Sequence, residues 1–182
     1  IVGVVGHIDP ASPTFAESLS RFASRPLFRG IRARGIDISS LSRGPGIGSL
    51  AALAELDLSL DLLARPEDLL AVTRLAEALP TLRIVLDHVA HVPVDGAEPQ
   101  SEWLAGIRTV AKRRNVFCKV SGLVEASVER PAPTDPAFYE PTLTALFDEL
   151  GADRLMYASN WPVCELASDY GTTYAVVDAF LR

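Results

Sequence analysis

Apolar and polar positions alternate along this chain with two different periods. Continuous apolar runs predict six strands, at residues 1–8, 27–34, 58–64, 82–89, 116–123 and 154–159. Apolar positions on one helical face predict helices at residues 13–24, 49–56, 102–113, 138–150 and 169–182, and another that opens at Pro66. The Gly/Ser-rich residues 39–48 and the polar, Pro-rich residues 125–136 predict loops. Gly151 is a suitable residue to end the helix before it.

This alternation indicates an α/β fold with parallel strands. Short apolar strands that alternate with helices are typical of parallel sheets covered on both faces. No Gly-x-Gly-x-x-Gly follows a strand, which disfavours a dinucleotide-binding open sheet. A (β/α)₈ TIM barrel needs eight units and about 250 residues. We therefore expect residues 1–182 to form one partial barrel domain, with two further units ahead of Ile1.

Composition and charge are those of a globular protein and narrow the choice of partners. Of the 182 residues, 48% are hydrophobic and 22% are charged, and the net charge is −6. The acidic balance disfavours nucleic acid and anionic membranes as partners, and no apolar run is long enough to predict a membrane span. Cys118 and Cys164 make neither a disulfide framework nor a zinc knuckle, so we expect two buried thiols in a reducing, cytoplasmic protein.

The chain begins without Met and inside a strand-like run. This start indicates a fragment or a missing first part that could carry targeting signals. Two absent strands would leave unpaired sheet edges, so we expect these residues alone to be inactive and to associate. Whether the whole protein forms a homo-oligomer stays open.

Polar residues stand at or near the carboxyl end of every predicted strand, where barrel enzymes place their active sites. Any one of them could be a capping or loop residue. Their recurrence on six strands favours a functional cleft. In chain order these residues are His7 with Asp9, Arg32, Asp61 with Arg65, Asp87 with His88, Lys119 with Ser121, and Asn160 with Trp161.

The histidines are the strongest candidates for a functional role. His88 could bind a metal or exchange a proton with substrate, although isolated histidines are often structural. Asp87 is adjacent and would face the opposite side of a strand, so we expect it to act as a structural partner. His7 is a candidate for substrate contact, and His91 in the following loop is a weaker candidate.

Two cations and a tryptophan are candidates for substrate binding. Arg32 and Lys119 lie in apolar strands, where a cation needs an anionic or polyhydroxylated substrate or a carboxylate partner. A salt bridge to Asp61 is the structural alternative. Trp161 could stack on a sugar-like ring or lie in the core.

Six ordered segments resemble the amidohydrolase-2 family. In the one-letter code they are GVVGHID at 3–9, FRGIR at 28–32, LDLLARPE at 60–67, IVLDH at 84–88, FCKVSG at 117–122 and RLMYASNWP at 154–162. They are most similar to the branch of sugar-acid lactonases, such as L-fuconolactonase and L-rhamnonolactonase, and to the related dicarboxylate lactonases. The resemblance implies a (β/α)₈ barrel of which strands three to eight are present, and hydrolysis of a cyclic ester.

The resemblance also assigns roles and exposes one departure. It implies that His88 is an active-site residue, and that a His-x-His pair on the first strand precedes this chain. The family's eighth strand often ends Ser-Asp-Trp-Pro, whose Asp activates water, but here Asn160 stands at that position. An amide cannot act as a carboxylate base. A divalent metal, zinc first, with His88 among its ligands is one expectation, and a metal-independent site is the other.

In the implied reaction, water attacks a lactone carbonyl and the oxyanion is stabilised. Arg32 and Lys119 would hold substrate oxygens or the oxyanion, with Asp61 beside them. Two alternatives stay open, because fold does not fix function. One is a decarboxylase or carbon–carbon hydrolase on the same barrel, and the other is an inactive, ligand-binding relative, which Asn160 would favour.

Overall fold

The computed structural model describes residues 1–43 and 45–182, and these residues form one six-stranded parallel sheet. Each predicted strand is confirmed, but each is shorter than predicted because the apolar runs continue past the last paired residue. The strands are β1 (Val4–Gly6), β2 (Phe28–Ala33), β3 (Ser59–Leu62), β4 (Arg83–Leu86), β5 (Val116–Val120) and β6 (Leu155–Tyr157).

Helices connect consecutive strands, and all of the predicted ones are confirmed within a few residues. They are α1 (Phe15–Ala23), α2 (Ile38–Leu41), α3 (Pro45–Glu55), α4 (Leu69–Ala78), α5 (Ser101–Ala111), α6 (Leu123–Ala126), α7 (Glu140–Leu150) and α8 (Tyr170–Phe180). The helix predicted to open at Pro66 starts as a 3-10 turn, Pro66–Asp68, before α4. Gly151 ends α7 at a φ of 76°, as predicted.

Both predicted loops were wrong in part. In the Gly/Ser-rich stretch 39–48, α2 and the first turns of α3 are helical, and Gly44 lies outside the described residues. The side chain of Asp37 accepts a hydrogen bond from the Ser39 backbone N–H at 2.9 Å, which caps α2 despite the serines that follow. In the stretch 125–136, Glu125 and Ala126 belong to α6.

Strand order identifies the sheet as part of a barrel. The strands pair in sequence order, β1-β2-β3-β4-β5-β6, and every pair is parallel. An open doubly wound sheet would reverse its order at a switch point. A sheet that grows in one direction with a helix after each strand instead curls into a barrel, so the partial α/β barrel predicted from the sequence is confirmed.

Inward and outward faces of this sheet are both packed. The strand residues Ile31, Leu60, Ile84 and Cys118 are fully buried together with helix residues such as Trp103. The two edge strands differ from this pattern, because within the described residues β1 and β6 each pair on one side only. Apolar side chains remain partly exposed at these edges, at Val4, Val5, Met156 and Tyr157.

The state of the two cysteines was also predicted from the sequence. Cys118 and Cys164 are both free and buried, as predicted. The helices within residues 1–43 and 45–182 lack the length and continuous hydrophobicity of a transmembrane segment.

Candidate functional site

A left-handed turn follows β4 and carries two histidines. The residues His88, Val89, Ala90 and His91 have φ values of 53°, 46°, 54° and 50°, and none of them is glycine. Each such residue costs roughly 1–2 kcal/mol, so surrounding contacts must hold the turn in place. The buried Trp103 donates from Nε1 to the Val89 carbonyl at 2.9 Å, and His91 Nδ1 lies 2.9 Å from the Ala64 carbonyl oxygen.

His88 is fixed by the segment that follows β5. Its Nδ1 lies 2.8 Å from Ser121 Oγ, so the ring has one engaged nitrogen and Nε2 is left for a ligand. Gly122 lies directly beneath the ring at a φ of 69°, and a Cβ there would come within 2.8 Å of the His88 Cβ. Only glycine therefore permits this approach. Because β4 ends at Leu86, strand alternation does not govern where the His88 side chain lies, contrary to the sequence-based argument.

The imidazole of His88 is neutral at physiological pH. Burial in the protein lowers the pKa of His88 to about 4, with smaller contributions in the same direction from His91, Arg32 and Lys119. Asp87 opposes the shift but does not overcome it. A neutral imidazole can donate or accept a hydrogen bond, or bind a metal.

Behind His88, two cations and two carboxylates form a buried ion network across β2 to β5. Lys119 Nζ lies 2.5 Å from Asp61 Oδ2 and 2.8 Å from Asp87 Oδ1. Arg32 Nε lies 2.8 Å from Asp87 Oδ2, although its N–H does not point at that oxygen, so this contact is ionic rather than a hydrogen bond. Arg32 also lies 3.8 Å from Asp61.

This network supplies the carboxylate partners that the sequence offered as one of two alternatives for the two cations. Both Arg32 and Lys119 have carboxylate partners, so neither depends on a substrate anion for its charge balance. Asp87 contacts both cations, in agreement with the structural role predicted for it. Burial raises the pKa of Asp61, and the hydrogen bond from Lys119 works against that shift.

A cavity of about 300 Å³ opens beside His88. Its lining comes from the left-handed turn, from α6 and from the segment after β6: His88, His91, Pro93, Gly122, Glu125, Ala126, Asn160 and Val163. A larger cavity of about 460 Å³ lies between α5 and α7 but contains none of the candidate residues. The smaller cavity is the candidate site, because it alone of the two joins the ends of several strands.

Glu125 is the residue of this cavity that the sequence did not single out. Its Oε1 accepts a hydrogen bond from Asn160 Nδ2 at 2.7 Å, and its Oε2 is shielded from solvent without a hydrogen-bond donor. The polar, Pro-rich composition of residues 125–136 predicted a loop and hid Glu125 among ordinary loop residues. The glycine before α6 was the one local signal, since Gly122 could have indicated a tight turn beside a strand end.

The remaining predicted residues lie away from the cavity lining. His7 is exposed, and its Nδ1 lies 2.9 Å from the Arg32 carbonyl oxygen. Trp161 is 63% exposed among the described residues and donates from Nε1 to Glu165 Oε1 at 2.9 Å. The structure thus brings His88 and Asn160 to one cavity and leaves His7 and Trp161 on the rim.

Comparison with known proteins places this geometry in a family. The family profile described as amidohydrolase matches residues 1–181. An L-fucono-1,5-lactonase of Burkholderia ambifaria is 33% identical over 177 residues, which cover 94% of this chain and 59% of that protein.

Two crystal structures of an amidohydrolase from Burkholderia multivorans share the fold. The form with bound HEPES has a TM-score of 0.87 at 28% identity, and the form with bound zinc has a TM-score of 0.85 at 29% identity. Each structural match covers 99% of this chain and 66% of the Burkholderia multivorans chain.

The described residues of this chain do not by themselves fit a zinc ion. No three His, Cys, Asp or Glu side chains in residues 1–43 and 45–182 are grouped to hold a metal. Catalytic zinc takes three protein ligands. Asp61 and Asp87 are engaged by cations, and the two cavity histidines, His88 and His91, are not grouped with a third ligand in the described residues. A zinc ligand role for His88 would therefore require further ligands from beyond these residues.

The match extends over nearly all of this chain but only part of its relatives. The chain spans about three-fifths of the length of the curated relatives that it matches. The sequential parallel strands, the polar strand ends and the family profile over residues 1–181 agree, and the chain belongs to the amidohydrolase family.

Proposed function

We propose that this protein hydrolyses a lactone ring at the cavity beside His88. Its family membership and its similarity to an L-fucono-1,5-lactonase support this function. The observation that carries the proposal is the placement of a neutral His88, held through Nδ1 by Ser121, on a cavity of about 300 Å³. That volume is at the small end of ligand pockets and suits a single small ring.

The proposed reaction begins with attack of water on the lactone carbonyl carbon. The carbonyl electron pair moves to oxygen, and the resulting oxyanion needs a hydrogen-bond donor. We assign that donor to His88 Nε2–H, in the tautomer whose Nδ1 accepts from the Ser121 hydroxyl. Collapse of the tetrahedral intermediate then breaks the ring C–O bond. The proton that the attacking water loses passes to solvent, and solvent returns one to the ring oxygen as it leaves.

Asn160 has a different role from the one that a carboxylate would have. Its amide donates to Glu125, so it orients that carboxylate and cannot itself accept a proton from water. Its role in the reaction is therefore to position Glu125 at the cavity.

Rim residues would contact the parts of the substrate that extend beyond the cavity. His7 and Trp161 are exposed, and the Arg32 side chain is 27% exposed, so each is accessible to a bound ligand. Lys119 is 17% exposed, and the buried Asp61 would act on substrate only through Lys119. A divalent metal, zinc first, would add Lewis-acid activation of the carbonyl if ligands beyond the described residues complete its site. None of the proposed reaction steps depends on a metal.

Isotope labelling of the product tests the proposed reaction. The full-length protein is supplied with L-fucono-1,5-lactone in ¹⁸O-labelled water, and ring opening is followed against the spontaneous rate. We expect faster opening than in buffer, with one ¹⁸O atom in the product carboxylate. No acceleration with any lactone, or release of CO₂ from an aromatic carboxylate instead, would contradict the proposal.

A further inference from the structure

Glu125 places a carboxylate at the cavity, which bears on the kind of lactone that can bind there. We propose that Glu125 sets the substrate class of this site, accepting a hydrogen bond from a neutral, polyhydroxylated lactone and disfavouring a lactone that carries a carboxylate. This inference rests on the proposed function, because it names the substrate class of the same cavity.

Asn160 fixes the carboxylate of Glu125 at the cavity wall. The 2.7 Å hydrogen bond from Asn160 Nδ2 to Glu125 Oε1 joins the segment after β6 to α6. Asn160 has a φ of 56°, a left-handed conformation that asparagine adopts more readily than most residues. A carboxylate at residue 160 would face Glu125 with like charge, so the amide suits this neighbour better than an aspartate would.

The second oxygen of Glu125 supplies the capacity to bind a ligand. Oε2 is shielded from solvent and has no donor among the described residues. A shielded carboxylate oxygen without a donor is unfavourable, and a ligand hydroxyl would supply the missing hydrogen bond. Glu125 lines the cavity, so a ligand that enters it can bring a hydroxyl to this carboxylate.

Charges around the cavity argue against an anionic ligand. Of the described lining residues, Glu125 carries a carboxylate and none is Lys or Arg. The nearby cations Arg32 and Lys119 are each within 2.8 Å of a carboxylate oxygen, so they offer no uncompensated positive charge. The neutral ring of His88 adds none. Arg130 lies beside Glu125, but it is exposed to solvent, outside the described lining, and donates to the backbone carbonyls of Glu125 and Glu129. A ligand carboxylate would therefore meet the charge of Glu125 without a counter-charge in the cavity lining.

A matched pair of lactones separates the two substrate classes. D-glucono-1,4-lactone and D-glucaro-1,4-lactone share ring and stereochemistry and differ only in a terminal CH₂OH or carboxylate. For the full-length protein we expect kcat/KM to be about tenfold or more higher for the neutral lactone, a difference that one uncompensated like charge can produce. Glu125→Gln should reduce this preference about tenfold, partly by improving turnover of the anionic lactone.

Two further variants keep the inference testable. Glu129→Gln removes an exposed carboxylate outside the cavity and should leave the preference unchanged. Glu125→Asp keeps the charge on a shorter side chain, so discrimination should persist while KM for the neutral lactone rises. Melting curves check the fold of each variant, and Glu125→Asp alone decides the matter if Glu125→Gln does not fold.

The outcomes distinguish this inference from the proposed function. If the unmodified protein opens no lactone faster than buffer does, the proposed function fails. If it opens lactones but Glu125→Gln leaves the preference unchanged, or Glu125→Asp loses it, the role of Glu125 fails and the lactonase activity stands. A preference for the anionic lactone in the unmodified protein would also overturn the inference.

Discussion

The Nδ1 atom of His88 lies 2.8 Å from the Oγ atom of Ser121, and this contact ties the turn after β4 to the end of β5. It orients the imidazole so that the other ring nitrogen is left for a ligand. Gly122 makes the approach sterically feasible, because any side chain there would collide with His88. The function of His88 therefore depends on residues of the neighbouring strand.

Removing the Ser121 hydroxyl tests this dependence. Ser121→Ala should lower kcat for lactone opening about ten- to a hundredfold with little change in KM, because the ring is no longer held in its productive orientation. The matched control is Ser127→Ala, a buried serine whose hydroxyl hydrogen-bonds to the backbone of Glu129. Equal losses of kcat in the two variants would show that Ser121 has only a structural role.

The lowered pKa of His88 predicts how stability depends on pH. Since the pKa is about 4 in the native state, against 6.5 for an unperturbed histidine, the unfolded chain takes up a proton that the native state does not. Stability should fall by roughly 3 kcal/mol as the pH drops from about 6.5 to about 4, and this loss should stop below that range. Urea unfolding of the protein and of His88→Gln across this range isolates the effect, because the variant lacks the titrating group. Parallel curves for the two proteins would refute the prediction.

Asp87 should be the most sensitive member of the ion network. It is fully buried and contacts both Arg32 and Lys119, so Asp87→Asn leaves two cations with one carboxylate. We expect a loss of about 3 kcal/mol or more in the free energy of unfolding. Asp57→Asn breaks an ion pair whose Asp57 side chain is 87% exposed, and it should cost at most about 1 kcal/mol. Chemical denaturation measures the free energy of unfolding of both variants. Similar losses in the two would show that Asp87 is no more important to stability than an exposed ion-pair residue.

Backbone strain in the left-handed turn can be measured with glycine. Ala90 and Ala76 are both fully buried or nearly so, but Ala90 has a φ of 54° whereas Ala76 lies in α4. Glycine relieves the strain at residue 90 and only weakens the helix at residue 76. Ala90→Gly should therefore be less destabilising than Ala76→Gly by about 1 kcal/mol or more. Equal destabilisation would mean that the turn is not strained.

Most of the fold could be predicted because it depends on local patterns. The apolar run 82–89 has the composition of a buried strand, and its prediction failed only beyond Leu86, where the chain turns into left-handed geometry. No glycine marks that turn, since His88 to His91 are held there by tertiary contacts such as the Trp103 hydrogen bond. Those contacts join residues far apart in sequence and leave no local signal.

The site was predictable in part for the same reason. His88 and Asn160 follow strand ends, where barrel enzymes place their active sites. The family resemblance pointed to the same two positions. Glu125 was missed because it lies on a short helix within a polar segment, and only its hydrogen bond to Asn160 reveals it. The partners of Lys119 were also beyond prediction, because the sequence offered a substrate anion and a carboxylate as equal alternatives.

Lactone turnover by the full-length His88→Ala variant measures the role of His88 in catalysis. We expect kcat/KM for L-fucono-1,5-lactone to fall at least about a hundredfold, which is typical for loss of one oxyanion donor. The melting temperature should change little by comparison, because His88 is only half-buried. If a folded His88→Ala protein retains the kcat/KM of the unmodified protein, His88 is not the oxyanion donor.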